Sequence, residues 1–225
     1  MTVTEFALLP LKSRGPLPAD LIALLEEAQK TQDAWVQARN PSQPLQTREA
    51  RGTAMLQQLE DPSVLLITTL WPSPDGHKEW IASPENTSTM KALSPYLDTA
   101  GERHVTLFHL DATPLTDFDP TSQTSALLAP VLSVGRFTAR EGAKSAFQDA
   151  FDAARWVVED VSKPYPLRGG WRIERKRDTD EFITFCGWES VDQHMSAMQH
   201  ESWHSWTAAQ AHLSTADVRH YKRIV

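Results

Sequence analysis

One recurrence constrains this chain more than any other feature. The runs "LLITTLWPSPDGH" (residues 65–77) and "FITFCGWESVDQH" (residues 182–194) share the pattern W-x-S-x-D-x-H. Trp71, Ser73, Asp75 and His77 thereby correspond to Trp188, Ser190, Asp192 and His194, each pair 117 residues apart. Arg103-His104 and Arg219-His220 form a second echo, 116 apart. Two copies of one unit are the simplest explanation, and such a repeat decides the architecture before any single residue does. Each copy reads as βαββαβ, an α+β unit. In "SVLLITTLW" both alternate sets are apolar, with Leu65, Ile67 and Trp71 on one face and Val64, Leu66 and Leu70 on the other. A sheet of that kind has to be covered on both sides. Helices cover one face and the other copy's sheet the second, which makes a pseudo-symmetric barrel within one chain. The boundaries that follow are 1–112 for the first repeat, 113–128 for a linker rich in Pro, Thr, Ser and Asp, and 129–225 for the second repeat.

Local signals place the recurring residues. Ser73 and Ser190 stand where they cap the second helix of each copy, with Pro74 in the first turn of one and Gln193 completing a Ser-x-x-Gln box in the other. On that helix His77, Trp80 and Ile81 fall at i, i+3 and i+4, as do His194, Ala197 and Met198, so each His leans toward the sheet.

Composition narrows the partners. The 225 residues carry a net charge of -7, and the basic cluster from Arg172 to Arg177 is followed at once by Asp178, Asp180 and Glu181. Nucleic acid, which needs a net basic face, is not expected. Cys186, the only cysteine, sits in a strand-like run and reads as a packed thiol. The first residues lack a basic start with a long apolar run, and no segment approaches about 18 apolar residues, so neither export nor membrane insertion is expected and the protein reads as cytoplasmic.

With those residues in view, "LEDPSVLLITTLWPSPDGHKEWIASPEN" and "GWRIERKRDTDEFITFCGWESVDQHMSAM" resemble the tandem fungal-type antibiotic biosynthesis monooxygenase-like proteins of the dimeric α+β barrel superfamily. The resemblance covers nearly the whole chain. It implies two ferredoxin-like βαββαβ repeats that form one dimeric-type α+β barrel, as a monomeric pseudo-dimer or a homodimer. It also implies a range of activities: cofactor-free oxygenation, cyclisation, haem degradation, or none. The oxygenases of that group use an Asn near the first strand together with a Trp and an Arg. Here Asn occurs only at Asn40 and Asn86, off that strand.

Two sets of histidines compete for attention. His200-Glu201-Ser202-Trp203-His204 spells the H-E-x-x-H of zinc peptidases. The extended motif needs a Gly and a His where this chain has Thr207 and Gln210, so the match reads as chance and no metal or other cofactor is expected. His77 and His194 carry more weight because position and facing agree. Each either fills space against a backbone carbonyl or moves protons at neutral pH. His104 and His220 share that ambiguity. The expected main pocket lies in the first copy, with His77, Trp80 and His104 as its walls, Trp71 at the strand end, and Glu85 and Asn86 nearby. Trp188, His194 and His220 mark the diverged pocket of the second. The functions these residues suit are a cofactor-independent tailoring enzyme on an apolar aromatic or polyketide-like molecule, by oxygenation or by His acid/base chemistry. A non-catalytic barrel binding a hydrophobic ligand or a protein, and a haem protein, are the alternatives.

Overall fold

The computed structural model describes residues 1–99, 104–119, 121, 124–175 and 179–225. Arg103, Arg177 and Asp178, which entered the sequence argument, lie outside them. The strands are β1 (Val3–Pro10), β2 (Ala54–Gln58), β3 (Val64–Trp71), β4 (Thr106–Leu110), β5 (Val131–Ala139), β6 (Arg168–Trp171), β7 (Glu181–Trp188) and β8 (Leu213–Arg223). The helices are α1 (Ala19–Arg39), α2 (Pro74–Ile81), α3 (Pro84–Leu93), α4 (Lys144–Val161), α5 (Val191–Ala197) and α6 (Trp203–Gln210). The sheet order is β4-β1-β3-β2-β8-β5-β7-β6. Each half repeats the ferredoxin-like arrangement, in which the fourth strand flanks the first and the third separates the first from the second. The expected class holds. One element differs: the single second helix expected in each half is two short ones. In the first half Ser83 starts a new helix, its hydroxyl accepting from the Asn86 amide at 3.0 Å with Pro84 following, which is a fresh N-cap.

Two seams join the halves. At one, β2 runs antiparallel to β8, Leu56 opposite Arg223 and Gln58 opposite Tyr221. At the other, Leu110 on β4 bridges Arg172 just past β6, the Asp111 amide donates to the Trp171 carbonyl at 2.9 Å, and the Ile173 amide donates to the His109 carbonyl at 2.8 Å. The sheet thereby closes into a barrel, which pairs its outer strands.

The period of two sorts the side chains. Phe6, Leu66 and Phe108 point inward and join Leu132, Ile183 and Phe185 of the second half in one buried cluster. Phe6 stacks on Phe108 at 4.8 Å and tilts against Phe185 at 6.4 Å. Leu65, on the opposite face, packs with Leu21 and Leu25 of α1. In the second half Phe182 packs with Phe147 and Phe151 of α4 and Trp206 of α6. The segment read as a plain linker does more than connect. Its apolar Leu115, Ala126 and Leu127 are buried in the barrel-interior cluster, while Ser125 turns the chain by accepting from the Leu127 amide. Gly52 holds a left-handed φ of 59°, which favours glycine, and a Cβ added there would also lie 3.2 Å from the Leu115 Cβ. Among the described residues no helix is long and apolar enough to cross a membrane.

Residues 1–112 expressed alone leave Phe6, Leu66 and Phe108 without the opposing sheet. We expect that fragment to self-associate or aggregate. A soluble monomer melting cooperatively, as measured by sedimentation and circular dichroism, would contradict the shared interior.

Candidate functional site

The recurring motif has a geometric meaning. Ser73 Oγ accepts the Gly76 amide at 3.1 Å and Ser190 Oγ the Gln193 amide at 3.1 Å, starting α2 and α5 in the same phase. Gln193 Oε1 returns to the Glu189 amide at 2.8 Å, one residue earlier than a reciprocal box would have it. That phase lays each histidine flat on the tryptophan ending the preceding strand. His77 stacks on Trp71 at 4.6 Å and 7°, and His194 on Trp188 at 4.3 Å and 18°. Asp75, two residues from His77, faces away and pairs with Lys78.

Each stacked histidine begins a chain of hydrogen bonds that ends in the other half. His77 Nδ1 lies 2.8 Å from His109 Nε2 on β4, and His109 Nδ1 lies 2.6 Å from Glu174 Oε1. The His109 amide also donates to Glu174 Oε2 at 2.8 Å. In the second half His194 Nδ1 lies 2.8 Å from His220 Nε2, whose Nδ1 meets Glu60 Oε1 at 2.6 Å while its amide donates to the same carboxylate. Glu174 follows β6 and Glu60 follows β2, so each carboxylate crosses a seam. An ionised carboxylate only accepts, which puts a proton on His109 Nδ1. With the histidines neutral, His109 Nε2 then accepts from His77 Nδ1, and His77 Nε2 is left with its lone pair. The same reasoning gives His194 Nε2 a lone pair. Burial and the neighbouring His109 press His77 down to about 3 despite the opposing field of Glu174, and burial with His220 brings His194 to about 4. Burial pushes Glu174 and Glu60 upward, but hydrogen bonds from His109 and His220 outweigh it and hold both below the usual carboxylate range.

The inner ends of the two chains differ. Val3 pairs with Trp71 and Val131 with Trp188, so Glu5 on β1 and Ser133 on β5 occupy equivalent places. Glu5 is buried, accepts the Trp71 indole N–H at 2.7 Å, and lies 3.4 Å from His77 Nε2. Burial raises its pKa to about 7 against the opposing Trp71 bond. Ser133 is neutral and accepts the Trp188 indole N–H at 2.8 Å.

Glu5 and His77 border a cavity of about 230 Å³ between sheet and helices, with Trp80, Asn86, Met90 and Ile67 among its walls. Of the residues expected at the first pocket, His77, Trp80 and Asn86 border this cavity. Trp71 serves as the floor under His77. Two expectations need correction. His104 is exposed and precedes β4, and the counterpart of His220 is His109: the Arg-His echo set the last strands five residues out of register. Glu85 is exposed and borders a groove with Trp35 and Arg39 instead. Trp188, His194 and His220 do border one cavity, of about 280 Å³, in the second half. His200 lies in the turn before α6, bonded to Ser202, and His204 in its first turn, bonded to the Glu201 carbonyl, so the H-E-x-x-H pair does not share one helix face. Cys186 is packed, and burial pushes its thiol up to about 12. Arg172 and Arg175 pair with Glu181 and Asp180.

Glu5, His109, Glu174 and Glu60 are not among the residues singled out from the sequence. Strand alternation carried a signal for the first two. Glu5 alternates with Val3, Ala7 and Leu9, and His109 with Leu107, on faces that meet helices. Glu174 and Glu60 gave none, because only barrel closure brings them to the histidines.

No protein-family model matches the sequence, and no curated protein does. Solved structures do. A presumed monooxygenase of Fusobacterium nucleatum superposes with a TM-score of 0.63 at 6% identity, covering 100% of this chain and 93% of its own. An anthrone oxidase-like protein gives 0.60 at 12% identity, covering 99% and 91%. A presumed chlorite dismutase gives 0.57 at 8%, covering 99% and 95%. At such identities the likeness shows the fold. The chain is a closed α+β barrel of the kind that ferredoxin-like units form in pairs, here built from a single polypeptide.

Glu5 makes a signed prediction about stability. Its folded pKa lies above the ordinary value of 4.5, near 7, so the folded state holds the proton more tightly than the unfolded chain. That contribution is complete below about pH 4.5 and is lost as pH rises through 7, a change of about 3 kcal/mol. His77 acts in the opposite sense below about pH 6.5, because the unfolded chain binds its proton more readily. In thermal melts from pH 5 to 8, Glu5→Gln is expected to gain on the parent as pH rises. A difference independent of pH would contradict the buried acid.

Proposed function

We propose that this protein is a cofactor-independent enzyme that removes a proton from a flat, apolar, enolisable aromatic or polyketide-like small molecule bound in the first half. One observation carries this reading: a buried carboxylate with a pKa near 7 borders an apolar cavity and is linked, through His77 and His109, to the half-exposed Glu174. A base working at neutral pH needs a pKa near 7, and a protein interior supplies it by desolvation. The Glu5 carboxylate takes the substrate proton. It hands that proton to His77 Nε2 as the His77 Nδ1 proton moves to His109 Nε2 and the His109 Nδ1 proton moves to Glu174, where water removes it. One proton leaves and the carboxylate is restored, with both rings now in the opposite tautomer. When the enolate, or the peroxide anion it forms with dioxygen, is protonated, a proton from water returns along Glu174, His109, His77 and Glu5 and resets both rings.

The enolate left in the cavity has two outlets. Reprotonation at another position gives isomerisation, or sets up cyclisation or loss of water. Reaction with dioxygen gives oxygenation, the branch favoured by the names of the fold neighbours, which include a presumed monooxygenase and an anthrone oxidase-like protein. Haem ligation at His77 is less well served, because both of its ring nitrogens already face partners, His109 and Glu5. In this reading the repeats 1–112 and 129–225 are fused copies, and the barrel that closes within one chain needs no second subunit.

Anthrone in D2O under argon is a suitable first probe. The parent is expected to speed deuterium entry at the acidic methylene, followed by NMR, and to consume oxygen once air is admitted. Glu5→Gln should slow the exchange by about 100-fold or more, and Glu174→Gln should slow it less. Exchange that is unchanged in Glu5→Gln and lost in His194→Phe would place the chemistry in the other half and overturn the assignment.

A further inference from the structure

The cavity of the second half has the same frame as the first and a different inner end. Where Glu5 stands near His77 Nε2, Ser133 stands with its oxygen taken by Trp188 and its hydroxyl 3.4 Å from the Cys186 carbonyl. His194 Nε2 therefore has a lone pair and no partner among the described residues. Its orientation is nonetheless fixed, because Nδ1 is committed to His220 and through it to Glu60. Among the described residues no carboxylate, lysine or arginine borders this cavity, whose walls include Trp188, Trp203, Trp206 and Met195. A fixed acceptor facing an apolar space favours a ligand that brings a hydrogen-bond donor, since leaving such a group unpaired on ligand entry costs about 1–3 kcal/mol. Indole faces and a thioether favour a flat aromatic body on that donor.

We infer that the second half holds a separate binding site for an uncharged aromatic molecule that donates a hydroxyl to His194 Nε2 and keeps its proton. The proton stays because no carboxylate stands beside His194 Nε2 among the described residues, and because burial and His220 keep His194 a weak base. The chain thus carries two unlike cavities, one bordered by a buried carboxylate and one built to hold a phenol or enol intact. This inference does not depend on catalysis in the first half.

The test uses the full chain and two probes, 2-naphthol and 2-methoxynaphthalene, by titration calorimetry. Leu107 and Val218 occupy equivalent places at the rims of the two cavities, and both are more than a third exposed. Tryptophan at either position obstructs one cavity from its exposed rim, and matching melts confirm the fold. The parent is expected to bind two molecules of 2-naphthol, and each of Leu107→Trp and Val218→Trp to bind one. With Leu107→Trp, the remaining site should prefer 2-naphthol over the methyl ether by about tenfold, and the bound naphthol should keep its neutral absorption spectrum at pH 8. His194→Phe added to that variant should abolish the preference. A stoichiometry unchanged by Val218→Trp, no preference for the hydroxyl, or a naphtholate spectrum at that site would each overturn the inference. None of these readouts involves turnover, so loss of the catalytic proposal would leave them interpretable.

Discussion

The structure depends on a contact that neither half can make alone. The Leu59 amide donates to the His220 carbonyl at 2.8 Å and the Ile173 amide to the His109 carbonyl at 2.8 Å. The next residue in each case is the glutamate that grips that histidine by both its backbone and its ring. Sheet register at the seams therefore positions a carboxylate on an imidazole with little freedom left to either. A charge-assisted bond of this kind fixes which ring nitrogen carries the proton. The fixed tautomer is then passed inward to His77 and His194, so the polarity of each cavity is set from across the barrel.

That arrangement makes the difference between the halves consequential. The floor tryptophan, the capped helix, the stacked histidine, the strand histidine and the borrowed glutamate are the same in both. Only the residue on the first strand of each half, Glu5 or Ser133, changes what the inner nitrogen meets. In an interior where unpaired polar groups are costly, that one difference sets a carboxylate beside the inner imidazole nitrogen of the first half and leaves a bare acceptor in the second. Two covalently joined halves are free to differ in this way, whereas a symmetric dimer would carry the same residue twice.

The repeat W-x-S-x-D-x-H made the barrel legible, because Trp, capping Ser and stacked His answer local demands of strand end, helix start and helix face. Two of the three residues expected to wall the first cavity, His77 and Trp80, are in place for the same reason. His104 was misplaced because a two-residue echo outweighed strand alternation, which sets His109 beside Leu107 on the helix-facing side. Glu60 and Glu174 were beyond reach. Each lies more than 60 residues from its histidine, and their pairing depends on how β2 meets β8 and how β6 meets β4. The burial of Leu115 and Leu127 was hidden by the polar residues around them.

The most direct measurement is the tautomeric state of the histidines, read from nitrogen-15 and proton correlations of the imidazoles at pH 6. The account predicts that His77 and His194 are both neutral with the proton on Nδ1. It further predicts that Glu174→Gln alters the His77 and His109 signals while those of His194 and His220 stay unchanged. A proton on Nε2 of His77 in the resting protein, or equal changes at both pairs of histidines, would contradict a relay set across the seam.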